Sequence, residues 1–439
     1  MPESAEFTDS LAYNEYGLKI CENKILLGGR REDAIKMTAE MLISAVEYVR
    51  HGGKTAELDS FYRGAFDSVP NAPRMDGLTG VTDAAYGAYL LLKENADEVD
   101  FETYIEKLEK AGYKKHAENK MASLFCVTYH NDEAIVNVTY SGEDRSLRAV
   151  VDPKSEKKLP TVEAVGYTPV CKTSLSQLDP AKTGWMCYVF KQDNGEFLVF
   201  DSGGNGAHKF IHDSLLELNG GEHVTVSAWI FSHFHCDHIG GFLEMGDREE
   251  YMKDITVKRI IHNFPQKQVT DTALNPGDQN NLARWPGVVA RTGAEVSHAR
   301  TGEKYRFGNI EVEFIFTFED LMPMHLIADR TNPTSSVASV TVEGQRFLIT
   351  GDCCGEATRL MVKRYGDWLK TDFMQVPHHG YGDGGTAIEF YEYADAPYVL
   401  YPCSSFSPSK SEKWACEHAK EYFLNAGMTT TLELPYKQN

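Results

Sequence analysis

The sequence predicts an α/β protein: a two-sheet sandwich flanked by helices over residues 165–439, preceded by a smaller accessory region, residues 1–160, of helices and an α+β unit. Three observations carry this reading. A chain of 439 residues is too long for one ordinary core and divides into two domains or three. Hydrophobic content of 42% and charged content of 25% are those of a globular protein. Past the polar, Lys-rich segment Pro153–Pro160, apolar runs closed by glycine give way to alternating strand and helix patterns.

From Ala34 the residues Ile35, Met37, Leu42, Val46 and Val49 fit a helix opened by Asp33 and stopped at Gly52-Gly53. Pro70 and Asn71-Ala72-Pro73 mark a break. Asp83 to Glu94 reads as a second helix through Tyr86, Tyr89, Leu90 and Leu91. Asp100 caps a third, whose Phe101, Ile105 and Leu108 share a face and which Gly112 ends. Strands follow at Leu124–Tyr129, Ile135–Tyr140 and Leu147–Val151, with hairpin turns at Asn131-Asp132 and Ser141-Gly142. Pro153–Pro160 is the expected linker. Beyond it, strands are expected at Met186–Lys191, Glu196–Phe200, Thr225–Phe231, Val257–His262, Ile310–Phe316, Val337–Val342 and Arg346–Thr350. Helices are expected at Glu356–Leu369, Ala387–Tyr393 and Ser411–Asn425.

Composition excludes several classes. The most apolar stretch, Ala84–Leu92, is broken by Gly87 and far short of the roughly 20 residues of a membrane span, so no membrane is expected as partner. The N-terminus has neither a basic nor an apolar leader segment, so no secretory signal is expected. Nine scattered cysteines without a CxxC pair point to free thiols and the cytoplasm. A net charge of −20 repels polyanions, so the expected partner is a small-molecule substrate rather than long nucleic acid.

The strongest chemical signal is Ser232-His233-Phe-His235-Cys-Asp237-His238-Ile-Gly240-Gly241, directly after the apolar run Val224–Ile230. Three imidazoles and a carboxylate this close together at a strand end are costly unless something binds them. Their nitrogens and oxygens are donors that Zn²⁺ and similar cations prefer. Extended backbone sends His233, His235 and Asp237 to one side, and Gly240-Gly241 lets the loop turn sharply.

This HxHxDH run resembles the metallo-β-lactamase superfamily, and the likeness continues over residues 167–405. Asp201-Ser-Gly203-Gly204, by itself only a good turn, resembles the family turn whose Asp supports the metal loop. Gly351-Asp352 resembles the motif whose Asp bridges two metals, and Pro377-His378-His379-Gly380 the one supplying the last histidine. The resemblance implies an αββα sandwich and two divalent ions, Zn²⁺ first, with Mn²⁺, Fe or a single ion as alternatives. By it, His233 and His235 serve one metal, Asp237, His238 and His379 the other, and Asp352 both, while His378 lines the pocket. It also implies a metal-bound water as nucleophile, oriented by Asp237 as the catalytic residue.

Many members carry a further histidine between HxHxDH and Gly-Asp. Here only His262, His298 and His325 lie there; His325 is the one near the expected loop, as a ligand or as an ordinary loop residue. In Asn332-Pro-Thr-Ser335 the chain resembles a branch with Asn and Ser in place of that histidine, which includes nuclease-like domains of DNA-uptake proteins and phosphorylcholine esterases. Asn332 and Ser335 are then candidate donors to a phosphate oxygen, or a capped turn before a strand. Asp352 stands where drug-hydrolysing members carry a cysteine ligand, so β-lactam hydrolysis is not expected; Cys353-Cys354 read as packed thiols. The expected function is hydrolysis of a small phosphodiester or phosphate ester. The alternatives are a lactone, thioester or carbon ester at the same site, and a metal-binding sensor or scaffold without turnover. The accessory region suits a lid over the site or a contact pairing subunits into a homo-oligomer, and the sequence does not choose between them.

Overall fold

The computed structural model describes residues 15–21, 24–29, 39, 61–65, 72–84, 86–161, 166–179, 185–265, 276–322, 331–380, 385–403, 410–425 and 429–437. The helix expected from Ala34 lies outside these residues except at Ala39, which is helical. The chain forms two compact units. One is Met1–Lys157 with Pro265–Leu274 and Glu319–Arg330; the other is Lys158–Phe264, Asn275–Phe318 and Thr331–Asn439. Among the described residues no helix is long and apolar enough to cross a membrane, and no disulfide links the cysteines.

The first unit holds a small antiparallel sheet, β1 (Glu15–Cys21), β2 (Lys24–Gly29) and β3 (Phe61–Ala65), in the order β2-β1-β3. Its larger sheet comprises β4 (Gly80–Asp83), β5 (Tyr89–Glu94), β6 (Lys114–Met121), β7 (Leu124–His130), β8 (Ala134–Ser141) and β9 (Ser146–Pro153), ordered β4-β5-β9-β8-β7-β6. Helix α1 (Glu98–Lys110) lays Tyr104 and Leu108 on Val127, Val136, Val138 and Ala149. Asp97, not Asp100, is its N-cap: the Asp97 carboxylate accepts the Asp100 N–H, and Asp100 reaches back to the Asp97 N–H.

Two stretches differ from the expectation here. Asp83–Glu94 is no helix. The chain reverses through Tyr86 (φ 51°) and Gly87 (φ 74°), and β5 pairs with both β4 and β9. Leu90, Leu91 and Leu92 are all buried, and an apolar run buried on both faces of a sheet reads like one face of a helix. Strand β6, Lys-Lys-His-Ala-Glu-Asn-Lys-Met, was hidden by its charge, which is how a sheet edge is kept from pairing further. The division between the two units falls inside Pro153–Pro160, between Lys157 and Lys158, and Lys157 is buried against Asp152 at 3.4 Å.

The second unit is the expected sandwich. Its first sheet contains β10 (Ser174–Gln177), β11 (Tyr188–Lys191), β12 (Phe197–Phe200), β13 (Val224–Ile230), β14 (Ile255–Val257), β15 (Arg259–His262) and β16 (Glu295–His298). The second contains β17 (Lys304–Phe307), β18 (Ile310–Phe316), β19 (Val337–Val342), β20 (Gln345–Ile349), β21 (Phe373–Gln375), β22 (Tyr398–Tyr401) and β23 (Glu421–Leu424); β24 (Thr430–Glu433) returns to pair with β10. The orders are β16-β15-β13-β12-β11-β10-β24, with β14 beside β13, and β17 through β23 in sequence.

Phe190, Leu198 and Ile230 of one sheet meet Val312, Val340 and Phe347 of the other in a single core, each such side chain worth about 1.5–3 kcal/mol when fully buried. Alternation along β13 turns Trp229 outward instead, its ring 4.9 Å from Phe242. Phe242 lies on α3 (Cys236–Gly246), flanked by α2 (His208–Leu218) and α4 (Pro276–Thr292). Helices α5 (Glu356–Tyr365), α6 (Ile388–Ala394) and α7 (Lys410–His418) accompany the second sheet, where Cys416 packs on Val399 and Tyr401. The helix expected over Ser411–Asn425 ends at His418. Glu421–Leu424 instead extends the sheet as a parallel neighbour of β22.

Candidate metal centre

The donors come from loops at strand ends. After β13 the chain bends at Ser232, His235 is extended (φ −61°, ψ 151°), and the His233 and His235 rings lie with centroids 4.6 Å apart. Asp237 does not follow the alternation expected of an extended chain. It lies with His238 in the first turn of α3, and the helix brings both back toward the same point. Gly240 and Gly241 are helical rather than a sharp turn. A Cβ on Gly241 would meet the Ser202 carbonyl oxygen at 2.1 Å, so glycine lets the helix lie against the Asp201 turn.

Asp352 follows β20 through Gly351 (φ 56°), where a Cβ would sit 2.5 Å from Ser232 Cβ. Its loop is held on two sides. Gln375, wholly buried at the end of β21, accepts from the Thr350 N–H (2.7 Å) and donates to the Gly351 carbonyl (2.9 Å). Ser335 accepts the Asp352 N–H at 3.2 Å. His379 leaves β21 at φ 52° and is fully buried.

These elements converge. His233, His235 and Asp352 form one group of donor atoms, and Asp237, His238, Asp352 and His379 a second, each within 4.8 Å. His238 Nε2 is 3.1 Å from Asp352 Oδ1 and 3.1 Å from His379 Nε2; His379 Nε2 is 3.4 Å from Asp237 Oδ2. The imidazoles are aimed from behind. His238 Nδ1–H donates to Asp201 Oδ2 at 2.7 Å, and His379 Nδ1–H to the Pro402 carbonyl at 3.3 Å, leaving each Nε2 to face the cluster. Asp201 also accepts the Ser232 N–H at 2.8 Å and the Ser232 hydroxyl at 2.7 Å, tying the HxHxDH loop to the end of β12.

Electrostatics fit a cation. Burial pulls His238 down, yet Asp352, Asp201 and Asp237 hold it well above the usual histidine range. Burial also opposes the rise of His379, which Asp352 and Asp237 push up to about 10. In return, His238 and His379 outweigh burial and keep the Asp352 carboxyl well below its ordinary range. Burial, with His238 and His235 beside it, drives His233 well down, and its Nε2 is a buried atom with no hydrogen-bond partner. An orphaned imidazole nitrogen beside a buried carboxylate is a donor awaiting an acceptor. A divalent cation among these atoms would take the place of the protons that balance Asp352.

The candidate substrate residues separate. Asn332 Nδ2 donates to His378 Nε2 at 3.0 Å, so these two stand together beside His379. Ser335 is wholly buried, and its hydroxyl oxygen accepts the Asp352 N–H and so holds that loop. His325 lies outside the described residues. His262 and His298 pack on each other with ring centroids 5.0 Å apart, and His262 takes the Trp285 indole N–H at 3.4 Å. Neither joins a donor group. Sequence reasoning missed Gln375 and Ser232, whose backbone-holding roles carry no motif, and Asp278, which accepts the Cys236 N–H from 42 residues away.

Residues 186–384 match the metallo-beta-lactamase superfamily. Among solved structures the chain is similar to the metallo-beta-lactamase fold protein YhfI from Bacillus subtilis, at 12% identity over 59% of this chain and 99% of that one, TM-score 0.37. It is also similar to CmlA, a diiron beta-hydroxylase from Streptomyces venezuelae, at 13% identity over 61% of this chain and 55% of that one, TM-score 0.36. A third is MEM-A1, a subclass B3 metallo-beta-lactamase from a soil metagenome library, at 12% identity over 51% and 80%, TM-score 0.29. No curated protein matches the chain. The match to the metallo-beta-lactamase superfamily, residues 186–384, spans every donor of the cluster.

Proposed function

We propose that this domain is a metal-dependent hydrolase of a small phosphodiester or related phosphate ester. The observation that carries the reading is the pair of donor groups sharing Asp352. His233, His235 and Asp352 would hold one ion, and Asp237, His238, His379 and Asp352 the other. Zn²⁺, Mn²⁺ or Fe in such a pair polarises an ester and makes water nucleophilic near neutral pH. Asp237, with about a third of its side chain exposed, orients the attacking water and accepts its proton. The water oxygen bonds to phosphorus, the phosphorus–oxygen bond to the leaving group breaks, and the proton passes to the leaving oxygen. The Asn332–His378 pair offers N–H groups to a phosphate oxygen. A net charge of −20 disfavours a long polyanion, whereas a small ester brings one or two charges that the ions neutralise locally.

The test compares kcat/KM for bis-p-nitrophenyl phosphate and headgroup phosphodiesters with single-stranded DNA, lactones and thioesters, at low and moderate salt. Small phosphodiesters should be turned over fastest. Faster cleavage of DNA refutes the small-substrate reading, and turnover confined to lactones or thioesters moves the reaction to carbon esters. A metal-loaded protein inert toward the whole panel refutes the enzyme.

A further inference from the structure

The helix that presents Asp237 and His238 lacks a cap of its own. Its N-cap is His235, whose side chain makes no capping hydrogen bond. The first N–H of α3, that of Cys236, instead donates to Asp278 Oδ1 at 3.0 Å. Asp278 stands in the first turn of α4 and is 3% exposed. A buried carboxylate at a helix N-terminus satisfies an otherwise orphan N–H and suits the positive end of the helix dipole.

Helix α4 also grips the far end of α3. Arg284 and Arg291 both pair with Asp247, the C-cap of α3. Between the ends, Trp285 packs on Phe231 and Phe242, and Gly246 leaves room for Val288, whose Cγ1 would lie 2.4 Å from a Cβ there. The donor helix is therefore splinted along its length, with Asp278 at the end that carries the donors.

We propose that Asp278 is a positioning residue of the metal centre, fixing the first turn of α3 through Cys236 and placing a negative charge at the N-terminus of the helix that bears Asp237 and His238. The inference rests on the metal-dependent reading above. One further observation supports it. With Asp201, Asp237 and Asp352, Asp278 makes four buried or half-buried carboxylates, the charge of two divalent cations. Groups placed behind metal ligands in this way tune affinity by about 10–100-fold.

Two variants of the full chain separate charge from capping. Asp278→Asn keeps an oxygen for the Cys236 N–H and removes the charge; Asp278→Ala removes both. The probes are Zn²⁺ affinity by competition with a chromophoric chelator, the visible spectrum of the Co²⁺-loaded protein, and Tm after chelation. Asp278→Asn should bind Zn²⁺ about 10-fold more weakly with an altered Co²⁺ spectrum and an unchanged chelated Tm, and Asp278→Ala about 100-fold more weakly. Wild-type affinity and spectrum in Asp278→Asn overturn the proposal, as does an affinity loss in Asp278→Ala matched wholly by a fall in chelated Tm. A wild-type chain that binds neither ion overturns the hydrolase reading itself, a result distinct from either.

Discussion

Replacing His235 and Asp237 together by alanine is expected to abolish stoichiometric metal binding while leaving the sandwich folded. The two residues belong to different donor groups, so the double variant cuts a ligand from each. Both are partly exposed, unlike His233, His238 and Asp352, so their truncation opens little buried volume. The core between the sheets, built on residues such as Phe190, Val312 and Phe347, is untouched. Losing a group behind a ligand already costs about 10–100-fold in affinity, so losing a ligand from each group should exceed ~100-fold. Elemental analysis beside a thermal melt checks this. Unchanged stoichiometry, with the fold intact, sinks the assignment of these donors.

His379→Ala should lower metal affinity by more than ~100-fold, whereas His378→Ala should leave it near wild type and change kcat or KM. The comparison is fair because both positions have positive φ, 49° and 52°, so both alanines meet the same backbone cost. What differs is the side chain. His379 Nε2 lies 3.3 Å from Asp352 Oδ1 and 3.4 Å from Asp237 Oδ2, while His378 Nε2 is engaged by Asn332. Chelator competition on each variant reads the difference, and the reverse pattern would place the ligand one residue earlier.

Much of this centre was legible because metal donors sit at strand ends and strand ends carry local signatures. The apolar run before His233, the Thr350-Gly351 turn before Asp352 and the Val376-Pro377 step before His379 each announce one. What places Asp237 beside His379 was less visible, since the helix begins inside the motif and Gly240-Gly241 serve packing rather than a turn. Asp278 and Gln375 were invisible for a different reason. Each acts on backbone far away in sequence, and nothing in a side chain announces which distant N–H it will accept. In the fold, the misread stretches are Tyr89–Glu94, Lys114–Met121 and Glu421–Leu424. There apolar content buried on two faces, charge on an edge strand, and an amphipathic tail after a helix each imitate another element.

The most direct test of the account is a crystal structure of the full chain equilibrated with Zn²⁺, Mn²⁺ or Fe²⁺, with anomalous scattering recorded at the edge of the added metal. The account predicts one peak among Asp237, His238, Asp352 and His379, and a second among His233, His235 and Asp352, about 3.5–4 Å apart. Asp352 should reach both. No anomalous density at either position with any of the three metals would contradict it.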